Sequence, residues 1–230
     1  MGLFDYGRVG KCHSGKNVPD NKGESAMIEV EVKLPVSEPD MVKAEILKMG
    51  FKEAAFIQER DTYFDNAGGG IRANDEALRV RETKDYLTGK IRAQMNFKGR
   101  KLDDQTMTRQ ELETGVENGE VCRKILQAAG FIPASPEVVK ERVMLQKDNV
   151  TACLDSVHGL GEFLELEILV PGEAEKDAAL GQIEAILNKL GYQISDTVRT
   201  SYLSMLQGKR RKSCGRYAGS VKGIYRGGCE

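Results

Sequence analysis

Apolar and charged residues alternate along much of the chain between residues 27 and 207. Apolar side chains occupy every second position from Ile28 to Leu34, and charged ones fill the positions between them. Because successive side chains of a strand point to opposite faces, this alternation predicts a β-strand, whereas apolar residues spaced by three or four predict a helix. The pattern predicts strands at 27–35, 53–65, 77–83, 90–98, 107–114, 137–147, 149–156 and 161–170, and helices at 38–49, 117–129, 173–190 and 196–207.

Short turns separate several of the predicted strands. Asp148-Asn149 and Val157-His158-Gly159 leave too few residues for the long crossover that parallel neighbours need, so they favour antiparallel pairing. Eight strands with short connections and four helices therefore predict an α+β fold built on an antiparallel sheet or barrel.

One face of nearly every predicted strand carries charge. The cations at these positions are Lys33, Arg79, Arg81, Lys98, Arg109, Lys140 and Arg142, and the carboxylates are Glu29, Glu31, Glu111, Glu113, Asp155, Glu165 and Glu167. An ordinary sheet with one solvated face would give the same alternation, with ion pairs between strands.

Like charges nevertheless recur two residues apart, as in Glu29 with Glu31 and Arg79 with Arg81, and such neighbours repel unless counter-ions neutralise them. We therefore favour a closed eight-stranded antiparallel barrel whose charged face points inward and whose apolar face is covered by the helices. Such a lining is stable only if internal pairs, water, metal or ligand offset the desolvation of the charges.

The composition narrows the chemistry to carboxylates, cations and hard metals. The 230 residues carry a net charge of −1, with two histidines and five cysteines that form no Cys-x-x-Cys pair, so we expect reduced thiols and no zinc site. Clustered carboxylates suit Mg²⁺ or Mn²⁺, and clustered Arg and Lys suit a polyphosphate. The sequence has neither a long apolar segment nor a secretory signal, so we expect a cytoplasmic protein without a membrane partner.

The two ends of the chain show no hydrophobic period. We predict a disordered tail at 1–26, one folded domain at 27–207 and a basic, Gly-rich tail at 208–230. Residues 10–16 fit the start of a phosphate-binding loop, but Asn17 stands where Ser or Thr should hold magnesium, and no strand precedes them. The basic run at 209–212 could attract a polyanion, but we favour a solvated tail and expect no nucleic-acid partner.

An ordered set of motifs resembles the CYTH family, the triphosphate tunnel metalloenzymes. The first is Glu29-Val30-Glu31-Val32-Lys33, which matches the Glu-x-Glu-x-Lys signature of that family. The others are Asp61-Thr62-Tyr63-Phe64-Asp65, Ala77-Leu78-Arg79-Val80-Arg81, Phe97-Lys98-Gly99, Arg109-Gln110-Glu111, Lys140-Glu141-Arg142 and the segment from Leu160 to Glu167. Within the family the chain is most similar to the class IV adenylyl cyclases.

The resemblance implies an eight-stranded tunnel and a role for each matching residue. Glu29, Glu31 and Lys33 would be catalytic. The metal, Mg²⁺ or Mn²⁺, would be held by Glu29, Glu31, Glu165 and Glu167 with help from Glu113 and Asp155. The triphosphate would be bound by Lys33, Arg79, Arg81, Lys98, Arg109, Lys140 and Arg142. The expected reaction is conversion of ATP to cyclic AMP and pyrophosphate.

Two other functions fit the same residues. Relatives in this family hydrolyse inorganic or thiamine triphosphate, and a third reading is a polyphosphate-binding module without turnover. The absence of Trp argues weakly against a thiamine substrate. Tyr63, Phe64 and Tyr202 could stack an adenine, although such aromatic residues more often form core. The outer barrel surface or the final helices could support a homodimer.

Overall fold

The structure, a computed structural model, describes residues 28–103 and 106–218, and this part of the chain contains nine strands and five α-helices. The strands are β1 (Ile28–Pro35), β2 (Lys52–Asp65), β3 (Ala77–Asp85), β4 (Ile91–Lys98), β5 (Arg109–Val116), β6 (Ile132–Pro133), β7 (Val138–Lys147), β8 (Val150–Val157) and β9 (Gly161–Val170). The helices are α1 (Pro39–Lys48), α2 (Gly70–Ala73), α3 (Gly119–Ala128), α4 (Lys176–Lys189) and α5 (Tyr202–Ala218).

Eight of these strands close into an antiparallel barrel. Around the ring the order is β2, β3, β4, β5, β1, β9, β8, β7, and β7 pairs with β2 to close it. The two-residue strand β6 lies outside the ring and pairs with the end of β2. Closure leaves no sheet edge in the ring, so the backbone N–H and C=O groups of β2 and β7 pair with each other, and every strand has an inner and an outer face. The predicted eight-stranded barrel with surrounding helices is therefore confirmed.

Helices α1 and α4 cover the apolar outer face of β1, β8 and β9. Their buried side chains are Val42 and Ile46 from α1, with Ala179, Ile183 and Leu187 from α4. The strand residues packed against them include Val30, Val32, Leu34, Ala152, Leu164, Leu166 and Ile168. Burial of this apolar area stabilises the fold in proportion to the area removed from water. This contribution does not depend on the charged interior.

Two smaller clusters complete the covering of the barrel. Cys122 and Leu126 of α3 pack against Phe64, Leu78 and Val80 on β2 and β3. At one end of the barrel, Tyr202 at the start of α5 packs against residues of β7, β8 and β9. Helix α5 therefore lies over an opening of the barrel and not over its side.

Several element boundaries differ from the sequence prediction. The connection after β2 contains the short helix α2, because the side chains of Asp65 and Asn66 accept hydrogen bonds from the backbone N–H groups of Gly68, Gly70, Ile71 and Arg72. The last helix begins at Tyr202 and not at 196, because residues 194–196 form a 3₁₀ turn and Val198 N–H donates to the carbonyl of Lys33.

The last helix also continues to Ala218, beyond the end predicted at 207 and into the predicted C-terminal tail. The rest of that tail and the predicted tail at 1–26 lie outside the described residues. In the described ranges, no helix is both long and apolar enough to cross a membrane.

The outer core gives a first prediction. Leu166 on β9 is fully buried, so replacing it with Ala should lower the free energy of unfolding by about 2–5 kcal/mol through lost burial and a cavity. Leu169 on the same strand is 59% exposed, and Leu169→Ala should cost less than about 1 kcal/mol. Urea unfolding of both variants checks this, and equal losses would contradict the assigned faces of β9.

Candidate active site

The barrel encloses a cavity of about 580 Å³ that is lined by inner-face side chains. Of the thirteen residues predicted to form the site, twelve line this cavity, and only Asp155 does not. The alternation in sequence therefore identified one continuous surface. Pockets of 300–1,000 Å³ are the usual size for small-molecule ligands, so the cavity can contain a nucleotide or a triphosphate.

Three adjacent strands, β5, β1 and β9, present an acidic wall to the cavity. The acidic wall consists of Glu29, Glu31, Glu111, Glu113, Glu165 and Glu167. Glu31 and Glu167 are direct partners across the β1–β9 ladder, while Lys33 is opposite Glu165. Like charges directly opposite each other destabilise a sheet, so the Glu31–Glu167 pair needs a cation in front of it.

The repulsion on the acidic wall changes the acidity of its members. Burial, reinforced by the nearby carboxylate of Glu165, raises the pKa of Glu31. Burial also raises the pKa of Glu167 to about 8, with Arg142 opposing the rise and Glu29 and Glu165 adding to it. These carboxylates have less positive charge around them than their ionised forms require.

Lys98 contacts three carboxylates of this wall. Its ammonium group forms an ion pair with Glu29 and lies 3.7 Å from Glu31 and 3.3 Å from Glu111. The register explains the position, since Lys98 is opposite Glu111 in the β4–β5 ladder. Burial lowers the pKa of Lys98, but the three carboxylates outweigh it and hold the pKa above its usual value.

The opposite side of the cavity is a basic wall on β3 and β7, with β2 between them. The basic wall consists of Arg79, Arg81, Lys140 and Arg142. Arg81 donates to both carboxylate oxygens of Asp61 at 2.6 and 2.7 Å and to Glu59 at 2.7 Å. Burial raises the pKa values of these two carboxyls, but Arg81 and the other neighbouring cations together outweigh it and hold both pKa values below their usual range. Arg79 makes only long contacts, 3.4 Å to Asp61 and 3.9 Å to Glu111.

Asp155 lies behind the basic wall with no exposed surface. Its carboxylate accepts hydrogen bonds from Arg142 at 2.6 Å through two nitrogens, from Lys140 at 2.9 Å and from the hydroxyl of Tyr202 at 3.0 Å. Sequence reasoning assigned Asp155 as a helper in metal binding. These four bonds instead favour a role in fixing the position of Lys140 and Arg142.

Tyr202 connects α5 to the basic residues of the site. Its ring lies 4.4 Å from the Lys33 ammonium and 5.3 Å from that of Lys140, and its edge contacts Phe163. Burial, together with Glu165 and Asp155, raises the pKa of the Tyr202 hydroxyl, so it remains a neutral donor. Since lysines occupy its ring face and Phe64 is buried in core, these two aromatic residues fit the core reading better than base stacking.

Arg109 stands apart from both walls. Its guanidinium donates to the backbone carbonyls of Asp75 at 2.8 Å and Gly99 at 3.2 Å. Lys101 forms an ion pair with the Asp75 carboxylate at 2.6 Å. Arg109 therefore connects the loop before β3 with the loop after β4 at one end of the cavity, in addition to lining it.

The prediction from sequence missed several residues of the site. Glu59, Asp61 and Asn96 are buried in the lining, and none had been assigned a role there. Glu59 and Asp61 are spaced by two, so the alternation that identified the other charges could have found them. The alternation also places Asn96 on the same face as Lys98, but a neutral amide gave no reason to assign it a role; in the structure it donates to Glu111 at 3.1 Å.

The acidic wall has the donor set that a hard divalent cation requires. Its carboxylate oxygens are the ligands that Mg²⁺ and Mn²⁺ prefer, and the directly opposed Glu31 and Glu167 gain most from such a charge. As they stand, however, no three acidic, histidine or cysteine side chains of residues 28–103 and 106–218 are gathered into a metal site.

Comparison with known proteins agrees with this geometry. The CYTH domain model matches residues 27–202. The chain belongs to the CYTH family. The resemblance inferred from the sequence motifs is thus confirmed, and membership in a family of triphosphate tunnel metalloenzymes implies use of a divalent metal.

The match with individual CYTH relatives extends over nearly the whole length of each relative. A protein of Methanocaldococcus jannaschii named "Putative adenylate cyclase MJ0240" is 34% identical over 78% of this chain and 98% of the relative. The structure of PH1819 from Pyrococcus horikoshii is 31% identical, covers 79% of this chain and 99% of that one, and gives a TM-score of 0.71. HpAC1 from Hippeastrum shares the fold at 17% identity, 80% and 96% coverage and a TM-score of 0.57.

Asp155 provides a prediction that separates its two assigned roles in this CYTH protein. Asp155→Asn removes the charge that neutralises Lys140 and Arg142, and breaking such a buried pair should lower the free energy of unfolding by about 3–5 kcal/mol. Asp148→Asn, in an exposed turn with φ 52°, should be nearly neutral because Asn tolerates that conformation. Denaturant unfolding without metal provides the measurement. Unchanged stability of Asp155→Asn, with weakened metal binding, would favour the metal role instead.

Proposed function

We propose that this chain is a metal-dependent enzyme acting on a triphosphate, and that it converts ATP to cyclic AMP and pyrophosphate. The observation that carries the proposal is the acidic wall facing the basic wall across one cavity. A divalent cation and a polyphosphate are complementary to these two walls, and each would relieve the repulsion in the wall it faces. The name of the 34% identical relative from M. jannaschii supports the choice of cyclase.

Glu29, Glu31, Glu165 and Glu167, with Glu113 beside them, would hold Mg²⁺ or Mn²⁺. Once bound there, the ion would neutralise phosphate charge and lower the pKa of an attacking hydroxyl. We assign no metal ligand role to Asp155, because its carboxylate is already engaged by four hydrogen bonds.

The basic residues would bind the triphosphate to different extents. Arg79 and Lys33 have their closest carboxylates at 3.4 and 3.6 Å, so their donors are the most available to phosphate oxygens. Arg81 and Arg142 are anchored by Asp61 and Asp155, which leaves some of their five N–H donors for the ligand. Guanidinium groups held in this way are preorganised for phosphate and need little reorganisation during the reaction.

In the proposed reaction the ribose 3′-oxygen forms a bond to the α-phosphorus while the bond from that phosphorus to the β-bridging oxygen breaks. The electron pair of the broken bond leaves on pyrophosphate, and the hydroxyl proton passes to solvent. The basic wall stabilises the charge that develops on the departing oxygens. The side chains of the cavity contact phosphate oxygens throughout, so their positions set the geometry of attack.

Hydrolysis of a triphosphate is the second candidate. The charged walls recognise phosphate without reference to a base, the Tyr202 ring is contacted by the Lys33 ammonium, and Phe64 packs in an apolar cluster. HpAC1, an adenylyl cyclase by name, was found to have a dominant triphosphatase activity.

A cytoplasmic location and a homodimer also remain predictions.

Product analysis decides between the two reactions. Purified protein is incubated with ATP or inorganic triphosphate and Mg²⁺ or Mn²⁺, and products are resolved by chromatography and phosphate assay. Cyclic AMP with equimolar pyrophosphate is the expected result. Orthophosphate without cyclic product would establish the hydrolase, and no turnover of either substrate would contradict both assignments.

Metal binding by the acidic wall gives a further prediction. Mn²⁺ should raise the melting temperature of the wild-type protein, because it binds the folded state and not the unfolded chain. Glu31→Gln should lose most of this rise and at least about 100-fold of the turnover, since an amide is a weaker ligand than a carboxylate. Glu184→Gln, on the exposed face of α4, should retain both. Calorimetry with and without Mn²⁺ checks the prediction, and an undiminished rise in Glu31→Gln would exclude Glu31 as a ligand.

A further inference from the structure

We propose that Lys98 is a built-in cation that occupies the acidic wall in the metal-free protein, and that it is displaced toward the triphosphate when the divalent metal binds. The inference rests on the proposed metal role of the acidic wall, but it assigns Lys98 a function that phosphate binding alone does not require. It makes Lys98 a positioning residue that links the two ligands.

The position of the Lys98 ammonium carries the argument. It forms an ion pair with Glu29 and lies within 4 Å of Glu31 and Glu111, so a single charge serves three carboxylates on two strands. The other interior lysines do not contact Glu29 or Glu31, although both lie near Glu165 of the same wall, Lys33 at 3.6 Å and Lys140 at 3.9 Å. Lys140 contacts Asp155 at 2.9 Å and Glu59 at 3.2 Å. Lys98 is thus the lysine whose partners include both carboxylates of the Glu-x-Glu motif.

A divalent ion held by Glu29 and Glu31 could not share this space with Lys98. Two positive charges about 4 Å apart repel by about 4 kcal/mol at the effective dielectric typical of such sites, before the divalent charge is counted. The ammonium group must therefore move away as the metal enters.

The cavity provides the destination. The side chain of Lys98 lines it and is 18% exposed, and a flexible four-carbon stem allows its ammonium to swing off the wall. The residues that face the wall from the neighbouring strands include Arg79 and Asn96, neither of which offers Lys98 a replacement anion. A triphosphate in the cavity supplies that anion.

Displacement of Lys98 couples the two binding events. The metal releases the ammonium for the phosphate, and the phosphate, by attracting the ammonium, frees the carboxylates for the metal. Coupling of this kind is reciprocal, so each ligand tightens the binding of the other. The pairing also ensures that the acidic wall is not left without a cation when no metal is present.

The test is the affinity for Mn²⁺ alone, measured by titration calorimetry without any triphosphate. If Lys98 competes with the metal, Lys98→Met should bind Mn²⁺ at least about tenfold more tightly than wild type, because the competing charge is gone. Lys98→Arg keeps the charge and should bind like wild type. Lys189→Met is the control, since it removes an exposed lysine of α4 outside the cavity and should leave Mn²⁺ affinity unchanged.

A measurement on the wild-type protein keeps the inference testable if Lys98→Met does not fold. Mild acetylation followed by mass spectrometry reports how accessible each amine is. Mn²⁺ should increase the acetylation rate of Lys98 severalfold, because its ion pairs are lost, while the rate at the exposed Lys189 of α4 should not change.

The outcomes distinguish this inference from the proposed function. Equal or weaker Mn²⁺ binding by Lys98→Met, or an unchanged acetylation rate at Lys98, would overturn the exchange and leave the metal site standing. Failure of Mn²⁺ to bind either wild type or Lys98→Met would overturn the metal site and the exchange together.

Discussion

The burial of charge inside a closed barrel is the constraint on which the rest of this structure depends. An ionised group removed from water is stable only beside an opposite charge and with its hydrogen bonds satisfied. The basic wall meets this condition within the protein, through Asp61, Glu59 and Asp155. The acidic wall meets it only in part: Arg142 and Lys33 pair with Glu165, but Glu31 faces Glu167, and Lys98 alone serves Glu29, Glu31 and Glu111. The difference between the walls makes one a preformed anion site and the other a site that still requires a cation.

The apolar exterior is what allows such an interior to persist. Helices α1 and α4 bury a continuous apolar surface against β1, β8 and β9, and those same strands carry the opposed glutamates on their inner faces. The apolar burial on the outer face of these strands therefore offsets the electrostatic repulsion between carboxylates on their inner face. Activity and stability make opposite demands on the inner face, as is common at functional sites.

Helix α5 joins the site to the covering of the barrel. Tyr202 contributes its ring to the apolar cluster at the barrel end and its hydroxyl to Asp155. Asp155 in turn fixes Lys140 and Arg142, so the docking of one helix determines where two cations of the basic wall stand. The residues that follow the CYTH motifs in sequence are therefore part of the site in three dimensions.

Local pattern determined a large part of this protein. The alternation from Ile28 to Leu34, repeated along the chain, placed eight strands and assigned their faces, because side-chain direction in a strand depends only on the parity of the position. The like charges at that spacing and the CYTH motifs identified the lining and the family.

Only the tertiary structure decided which charges meet. Strand order and register place Glu31 opposite Glu167, Lys98 among three carboxylates and Asp155 behind two cations, and none of these pairings is encoded in a single segment. The spacing of Glu59 and Asp61 is visible in the sequence, but only the β2–β3 register places Asp61 opposite Arg81 and brings both carboxylates into contact with its guanidinium. The sequence determines which residues point inward; the closed barrel determines their partners, because electrostatic pairing depends on distances between strands that are far apart along the chain.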